Sequence, residues 1–212
     1  MKWLQFILSH SIFIAICAAA LAFQTVQLLQ LQHNIYIYGF IFCATLCSYN
    51  FYWMLSKFSL SVNNGLIQIL KKGQTGLMLM LFAGTGMIVF YYQSALPINY
   101  IITAIVLTIV YSIPLLPIKF LHFTRKAGVF KTFLLAFTWA YVTVIIPVQK
   151  SYSQLSSADY FVFTRRFLFM LMLCIIFDNR DKAMDKIRGL HSLATDLKPM
   201  MLNILIYFIL AV

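Results

Sequence analysis

Residues 160–177 read YFVFTRRFLFMLMLCIIF, an apolar run that is interrupted only by Thr164, Arg165 and Arg166. A helix needs about 20 mostly apolar residues to cross the hydrocarbon core of a bilayer. A strand of a membrane barrel would instead alternate apolar and polar residues with a period of two, and this run does not. The run therefore predicts a membrane-spanning helix.

Six further apolar segments of comparable length accompany this run. Prolines stand near the edges of several segments, where their missing amide donor costs a helix least. The seven predicted spans cover residues 3–23, 34–54, 76–92, 97–117, 129–148, 160–177 and 199–212. The fold class that we predict is all-α: a polytopic transmembrane helical bundle of about seven spans, forming a single integral-membrane domain over residues 1–212.

The two terminal segments each allow two interpretations. Lys2, the apolar run and the small residues 18–22 would fit a signal peptide. However, the run is longer than a typical signal core and further spans follow directly, so we favour an uncleaved first helix. The last segment stops at Val212 without a polar exit. Either its helix is short or, as we expect, the chain is incomplete at its C-terminus.

The composition excludes an ordinary soluble domain and a disordered chain. Hydrophobic residues make up 62% of the chain and charged residues 10%, whereas soluble domains carry roughly 45–50% and about 25%. Disordered segments are poor in aromatic residues, which make up 17% here. The mean hydropathy of +0.88 agrees with a membrane protein.

The charge distribution predicts the orientation in the membrane. Sixteen Lys and Arg stand against five acids, giving a net charge of +11. The basic residues lie in short connections between apolar segments rather than on a nucleic-acid-binding motif, so we exclude nucleic acid as a partner. A cytoplasmic N-terminus places all of them except Lys150, Arg165 and Arg166 on the inner side. We therefore predict an inner-membrane protein, surrounded by lipids, with its N-terminus in the cytoplasm.

Several polar or small residues inside the spans have a structural interpretation. We interpret His10 as the partner in an interhelical hydrogen bond. We expect the side chains of Arg165 and Arg166 to snorkel to the outer headgroups rather than to be buried. The pair Cys43 and Cys47 and the string 84–86 (GTG) fit close helix packing. For these two features we prefer packing over a zinc site and a dinucleotide loop.

The string DNRDKAMD follows Phe177 directly and contains three of the five acids of the chain. Spacings of three and four residues place the carboxylates of Asp178, Asp181 and Asp185 on one helical face. Their mutual repulsion would be relieved by Mg²⁺, which binds carboxylates and shares phosphate ligands. The alternative without a bound metal is a solvated loop of acidic and basic residues at the membrane surface. We predict that these three aspartates are metal ligands.

The string from Asp178 to Gly189, followed by Ser192-Leu193, resembles the second aspartate-rich motif of the UbiA family of membrane prenyltransferases, which includes the 4-hydroxybenzoate polyprenyltransferases. Three other family stretches have counterparts in the expected order. They are Tyr111-Ser112 with Pro114 and Lys119, the segment from Arg125 to Trp139, and Ser48-Tyr49-Asn50, where the first aspartate motif of the family begins.

The resemblance implies a nine-helix bundle, of which this chain would hold seven. It also implies that Mg²⁺ holds the diphosphate of an isoprenyl donor, whose isoprenyl group passes to an aromatic or other hydrophobic acceptor. The expected substrate-binding residues are Lys119, Arg125 and Lys182 for the diphosphate, and Asn50 and Tyr111 as polar groups of the cavity. The resemblance does not assign further catalytic residues.

The chain departs from the family pattern at the first motif. Alignment at Asn50 puts Phe51, Met54 and Phe58 where three aspartates would stand. One metal-binding half is therefore missing. The complete second motif favours a Mg²⁺-dependent prenyltransferase. The degenerate first motif favours the alternative, a catalytically inactive protein of the same fold that binds a diphosphate or a lipid headgroup.

Overall fold

The computed structural model describes residues 6–8, 10–60, 74–112, 128–150, 152–188 and 199–211. Within these ranges the description of side chains leaves out residues 53, 55–60, 128–129, 152, 181–188, 199, 203, 208 and 210–211. All regular secondary structure in the described part is helical. The predicted all-helical class is therefore confirmed for these residues.

The described helices follow the predicted apolar segments in order. Their bounds are α1 Ile12–Leu28, α2 Ile35–Leu60, α3 Gln74–Ser94, α4 Ile98–Ser112, α5 Gly128–Ala140, a π-helix Tyr141–Ile145, α6 Ile146–Val148, a 3₁₀ turn Tyr152–Gln154, α7 Ser157–Arg188 and α8 Pro199–Ala211. The helix α7 runs from the apolar segment through the whole acidic string, so the backbone of all three predicted metal ligands is helical.

Four stretches among the described helices are long and apolar enough to cross a membrane. They are Ile35–Tyr52, Gln74–Ser94, Phe130–Val148 and Ser157–Arg180, while α1 and α4 are shorter apolar helices. Large apolar side chains cover the outside, and Phe82 is 73% exposed. A water-soluble monomer rarely exposes apolar surface on this scale. The chain thus has the helices of a membrane protein.

The first helix differs from its prediction. It does not run over residues 3–23, because the chain turns at Ser11, whose φ of 61° is left-handed, and α1 extends from there to Leu28. His10 consequently lies in the turn before α1. Its Nδ1 and Nε2 lie 3.0 Å from Phe6 O and from Thr75 Oγ1 of α3. The interpretation of His10 as a structural interhelical contact agrees with these distances.

Small residues allow α1 to pack closely against its neighbours. Ala15, Ala18 and Ala22 are spaced along one face of the helix and are fully buried. Ala18 and Ala22 join a core cluster with Phe40 and Ile41 of α2. Small side chains let membrane helices approach each other, which increases van der Waals contact. The most extensive helix contact joins α2 and α3, followed by α5 with α7 and α1 with α2.

The two ends of the bundle carry different groups. One end, which we call the Asp159 end, has Asp159 paired with Lys150 at 2.9 Å. Asp159 also accepts hydrogen bonds from the backbone and hydroxyl of Ser156, both at 2.8 Å, and thereby caps the start of α7. The opposite end, the Asp178 end, contains His10 and Asp178. The helices α1 to α4, then the continuous segment from α5 through the π-helix to α6, and then α7 run in alternating directions between these ends.

The contact between α2 and α3 provides a stability test. A Cβ added at Gly39 would lie 2.8 Å from the ring of Phe90, whereas one at Gly84 would meet nothing within 4 Å. Overpacking costs about 1–3 kcal/mol, and alanine in place of a helical glycine gains about 1 kcal/mol. We expect Gly39→Ala to lower the thermal midpoint in detergent and Gly84→Ala to maintain or raise it. Equal midpoints for the two variants would contradict this packing.

Candidate functional site

An apolar cavity of about 320 Å³ lies between α2, α4 and α5, with the π-helix and α6 on one side and Met87 of α3 at its edge. Small side chains open the space, notably Ala44 and Ser48 on α2 and Ala104 and Thr108 on α4. Binding sites for small apolar molecules have this size and this mostly apolar lining. The cavity is therefore the candidate functional site.

Aromatic side chains gather where the cavity approaches the Asp178 end. The rings of Tyr52 and Tyr111 stack with centroids 5.2 Å apart and an angle of 18°. Trp139 Nε1 donates a hydrogen bond of 3.0 Å to the hydroxyl of Tyr49, and their rings meet edge to face. Tyr49, Tyr111 and Trp139 line the cavity. We call these four residues the aromatic end. Such ring faces can attract a cation.

Two consecutive residues of α5 make polar contacts at the Asp178 end of the bundle. Lys131 Nζ stands 5.7 Å from the centroid of the Tyr111 ring. Thr132, which is buried, donates a hydrogen bond of 2.7 Å to Asp178 Oδ2 on α7. An ammonium thus stands at the aromatic end of the cavity, and the next residue of α5 bonds to a half-buried carboxylate on α7.

Two of the predicted site residues, Tyr111 and Asp178, belong to this arrangement. Asn50, another of them, has a different environment: it is 6% exposed, and its Nδ2 donates hydrogen bonds to His10 O at 3.2 Å and Leu46 O at 2.8 Å. The cavity wall beside it is formed by Tyr49 and Phe51. A substrate contact of Asn50 stays a prediction.

The other predicted residues lie outside what the structure describes. Lys119 and Arg125 fall in the range 113–127, and only the backbone of Asp181, Lys182 and Asp185 is described. Their assignment to the diphosphate or to the metal therefore remains a prediction from the sequence.

The role of Asp178 as a metal ligand stays a prediction, with which its surroundings agree. Its carboxylate is the kind of oxygen ligand that Mg²⁺ takes. The hydrogen bond from Thr132 is the kind of outer contact that orients such a ligand. Among the side chains that the structure describes, no three His, Cys, Asp or Glu come together as a metal site. A Mg²⁺ site that includes Asp178 would also need Asp181 or Asp185, whose side chains the structure does not describe.

The interpretation of Arg166 as a snorkelling side chain is wrong. Arg166 is 6% exposed and lies inside the bundle, where its guanidinium donates to Gln24 Oε1 at 2.9 Å and to Leu21 O at 3.2 Å. The side chains of adjacent residues in a helix point in directions about 100° apart around the helix axis. Arg165 consequently stays exposed, above the ring of Phe161, while Arg166 turns towards α1.

The packing interpretation of the cysteines and glycines holds in part. A Cβ at Gly86 would lie 2.8 Å from Cys43 Sγ, so these residues pack closely, whereas Gly84 faces open space. All four cysteines of the chain are free thiols.

Three residues of this region, Lys131, Thr132 and Tyr52, were not predicted as site residues from the sequence. A signal for two of them was present in the spacing, because Thr132 and Trp139 lie seven residues apart and Tyr49 and Tyr52 three apart. Such residues share a helical face. Nothing in the spacing indicated that these two faces would meet across the cavity.

No model of a protein family matches the chain, and no curated protein or solved structure is significantly similar to it. The likeness to the UbiA family therefore depends on the sequence motifs quoted above.

Proposed function

We propose that the protein is a UbiA-like membrane prenyltransferase that transfers an isoprenyl group from an isoprenyl diphosphate to a hydrophobic acceptor with the help of Mg²⁺. The observation that carries the proposal is an apolar cavity whose wall residue Tyr111 is contacted by Lys131, while the next residue of α5, Thr132, is bonded to Asp178. An amphiphile with an apolar chain and a diphosphate matches this order of groups.

In this reaction the apolar cavity and its aromatic end would act on different parts of the substrate. The bond between the allylic carbon and the diphosphate oxygen breaks, and the diphosphate leaves with the electron pair. The acceptor then bonds to that carbon and loses a proton. Mg²⁺ would neutralise the leaving diphosphate. Lys131 can add a charge-assisted hydrogen bond to it. The rings of Tyr111 and Trp139 can stabilise the allylic cation while the apolar walls exclude water.

Calorimetry with a non-hydrolysable farnesyl diphosphate analogue tests the proposal on the full chain in detergent. We expect binding that strengthens at least tenfold when Mg²⁺ is added, because the carboxylates repel the diphosphate without a cation. Farnesol, which has the chain but no diphosphate, is the control and should bind with no dependence on Mg²⁺. Binding of the analogue that ignores Mg²⁺ would contradict a metal site at Asp178.

The second candidate is a non-catalytic protein of the same fold. The observation that favours it concerns Phe51, which lines the cavity and is 42% exposed. Phe51 stands at the position where the resemblance to the family would place the first aspartate of the first motif. A product assay with farnesyl diphosphate and 4-hydroxybenzoate separates the two candidates when binding is already established. Prenylated product supports the enzyme. Binding with no release of diphosphate, including by hydrolysis, supports the binding protein.

The proposed orientation places the Asp178 end in the cytoplasm, with the site facing the soluble metabolites of the cell. Gln74 and Gln154 are both exposed and lie at opposite ends of the bundle. We expect a cysteine at Gln154 to react with an impermeant maleimide on intact cells, and one at Gln74 to react only after the cells are opened. The parent chain sets the background. Labelling of the Gln74 variant on intact cells would reverse the orientation.

A further inference from the structure

Pro147 changes the backbone pairing beside the cavity. In an α-helix the carbonyl of Thr143 would accept a hydrogen bond from the amide of residue 147, but a proline has no amide proton and its ring crowds that carbonyl. The chain forms the π-helix Tyr141–Ile145 at this place. Thr143 O accepts a hydrogen bond of 2.8 Å from Thr25 Oγ1 on α1, and both residues are fully buried. The donor that the proline lacks is thus supplied by another helix.

Arg166 contacts both the Thr25 hydroxyl and a carbonyl that competes for its proton. Thr25 Oγ1 has a competing acceptor on its own helix, Leu21 O, at 3.1 Å. The guanidinium of Arg166 donates to Leu21 O through Nη1 at 3.2 Å, and its Nη2 lies 3.4 Å from Thr25 Oγ1. Because Arg166 occupies the competing acceptor and donates to the Thr25 oxygen, the hydroxyl proton is directed to Thr143.

The contacts continue from the π-helix to the wall of the cavity. Thr143 Oγ1 donates to Trp139 O at 2.7 Å, and Trp139 Nε1 donates to the Tyr49 hydroxyl at 3.0 Å. We propose that Arg166 is a positioning residue, which acts through Thr25 and the π-helix to hold Trp139 and Tyr49 in place on the cavity wall. We call this series of five residues the Arg166 relay.

A buried cation is an unusual means of stabilising a helix contact alone. Charged groups inside membrane spans are expensive and commonly serve a function, and π-helical turns are frequent at functional sites. Both features occur here on the same series of contacts, which ends at two cavity residues. The consequence for an isoprenyl ligand rests on the proposed function, whereas the relay itself does not.

Fluorescence of Trp139 tests the relay without any ligand. The full chain with Trp3→Phe and Trp53→Phe retains Trp139 as its only tryptophan. Tyr49→Phe removes the partner of the indole and calibrates the shift in emission that loss of the bond produces. We expect Thr25→Val and Arg166→Met to shift the emission maximum in the same direction as Tyr49→Phe does, and by at least half of the shift that Tyr49→Phe produces. Thr25→Ser, which retains the hydroxyl, should restore the parent spectrum.

Thr164→Val is the matched control, because the Thr164 hydroxyl bonds to Tyr160 O of its own helix and the residue is exposed. It should leave the spectrum unchanged. A Thr25→Val spectrum equal to the parent, with Tyr49→Phe shifted, would overturn the relay even if Arg166→Met fails to fold. A shift in Thr25→Ser as large as in Thr25→Val would overturn it as well.

Binding of farnesol to the cavity is then measured in the same proteins by the change that it causes in the emission of Trp139, which lines the cavity. We expect Thr25→Val to weaken farnesol binding at least threefold relative to the parent and to Thr164→Val. Unchanged farnesol affinity together with a shifted emission would overturn the effect on the cavity. Because farnesol carries no diphosphate, this result is independent of whether the protein binds isoprenyl diphosphates.

Discussion

Asp178→Asn should weaken the Mg²⁺-dependent binding of the farnesyl diphosphate analogue by more than about 10-fold, because loss of even an outer contact to a metal ligand costs roughly 10–100-fold. The amide has the shape of the carboxylate and can still accept the hydrogen bond that Thr132 Oγ1 donates to Asp178 Oδ2 at 2.7 Å. The variant therefore removes a charge from the site while retaining its packing. The affinity measured without Mg²⁺ should rise or stay constant, because one source of repulsion to the diphosphate is gone.

Thr132→Val separates a supporting contact from a ligand. It removes the hydroxyl that orients Asp178 but leaves the charge, so we expect a smaller loss of Mg²⁺-dependent affinity than for Asp178→Asn. Thr164→Val again serves as the control for removal of a hydroxyl. Calorimetry with and without Mg²⁺ measures all four proteins. Equal Mg²⁺ dependence in the parent and in Asp178→Asn would mean that this carboxylate does not bind the metal.

The helices could be predicted from the sequence because their main determinant is local. An apolar run of about 20 residues has to satisfy its backbone within one segment when it lies in lipid, and the runs at 76–92 and 160–177 accordingly lie within α3 and α7, although α7 continues to Arg188. The break at Ser11 was missed because a single left-handed residue ends a helix without any change in hydropathy. The start and end of α1 shifted as a result.

The internal arrangement of polar groups could not be predicted, because it depends on pairs that are far apart in the sequence. Arg165 and Arg166 are identical in type and adjacent, and only the position of Gln24 and Leu21 on α1 makes one of them buried. Likewise the proximity of Thr132 to Asp178 requires α5 to pack against α7. The acidic string was evident from its spacing alone, whereas its neighbours depend on the fold.

Ala104→Phe should weaken binding of the analogue in the presence and in the absence of Mg²⁺, which distinguishes it from Asp178→Asn. Ala104 lies on the α4 wall of the cavity of about 320 Å³, which Ala44 of α2 also lines. A phenyl ring there occupies space that the isoprenyl chain would need. Burial of a methylene is worth about 0.8 kcal/mol, so exclusion of three such groups corresponds to about 2.4 kcal/mol, or a ~50-fold loss of affinity.

The matched control for this variant is Ala20→Phe, which adds the same ring at an exposed position of α1 away from the cavity. Farnesol should lose affinity for Ala104→Phe to the same extent as the analogue, because both place their chain in the cavity. The thermal midpoint of Ala104→Phe should stay near that of the parent, since the ring fills existing space rather than displacing packed atoms. If both ligands bind Ala104→Phe as tightly as Ala20→Phe, the apolar chain does not occupy this cavity, and the site next to Asp178 would then recognise the diphosphate alone.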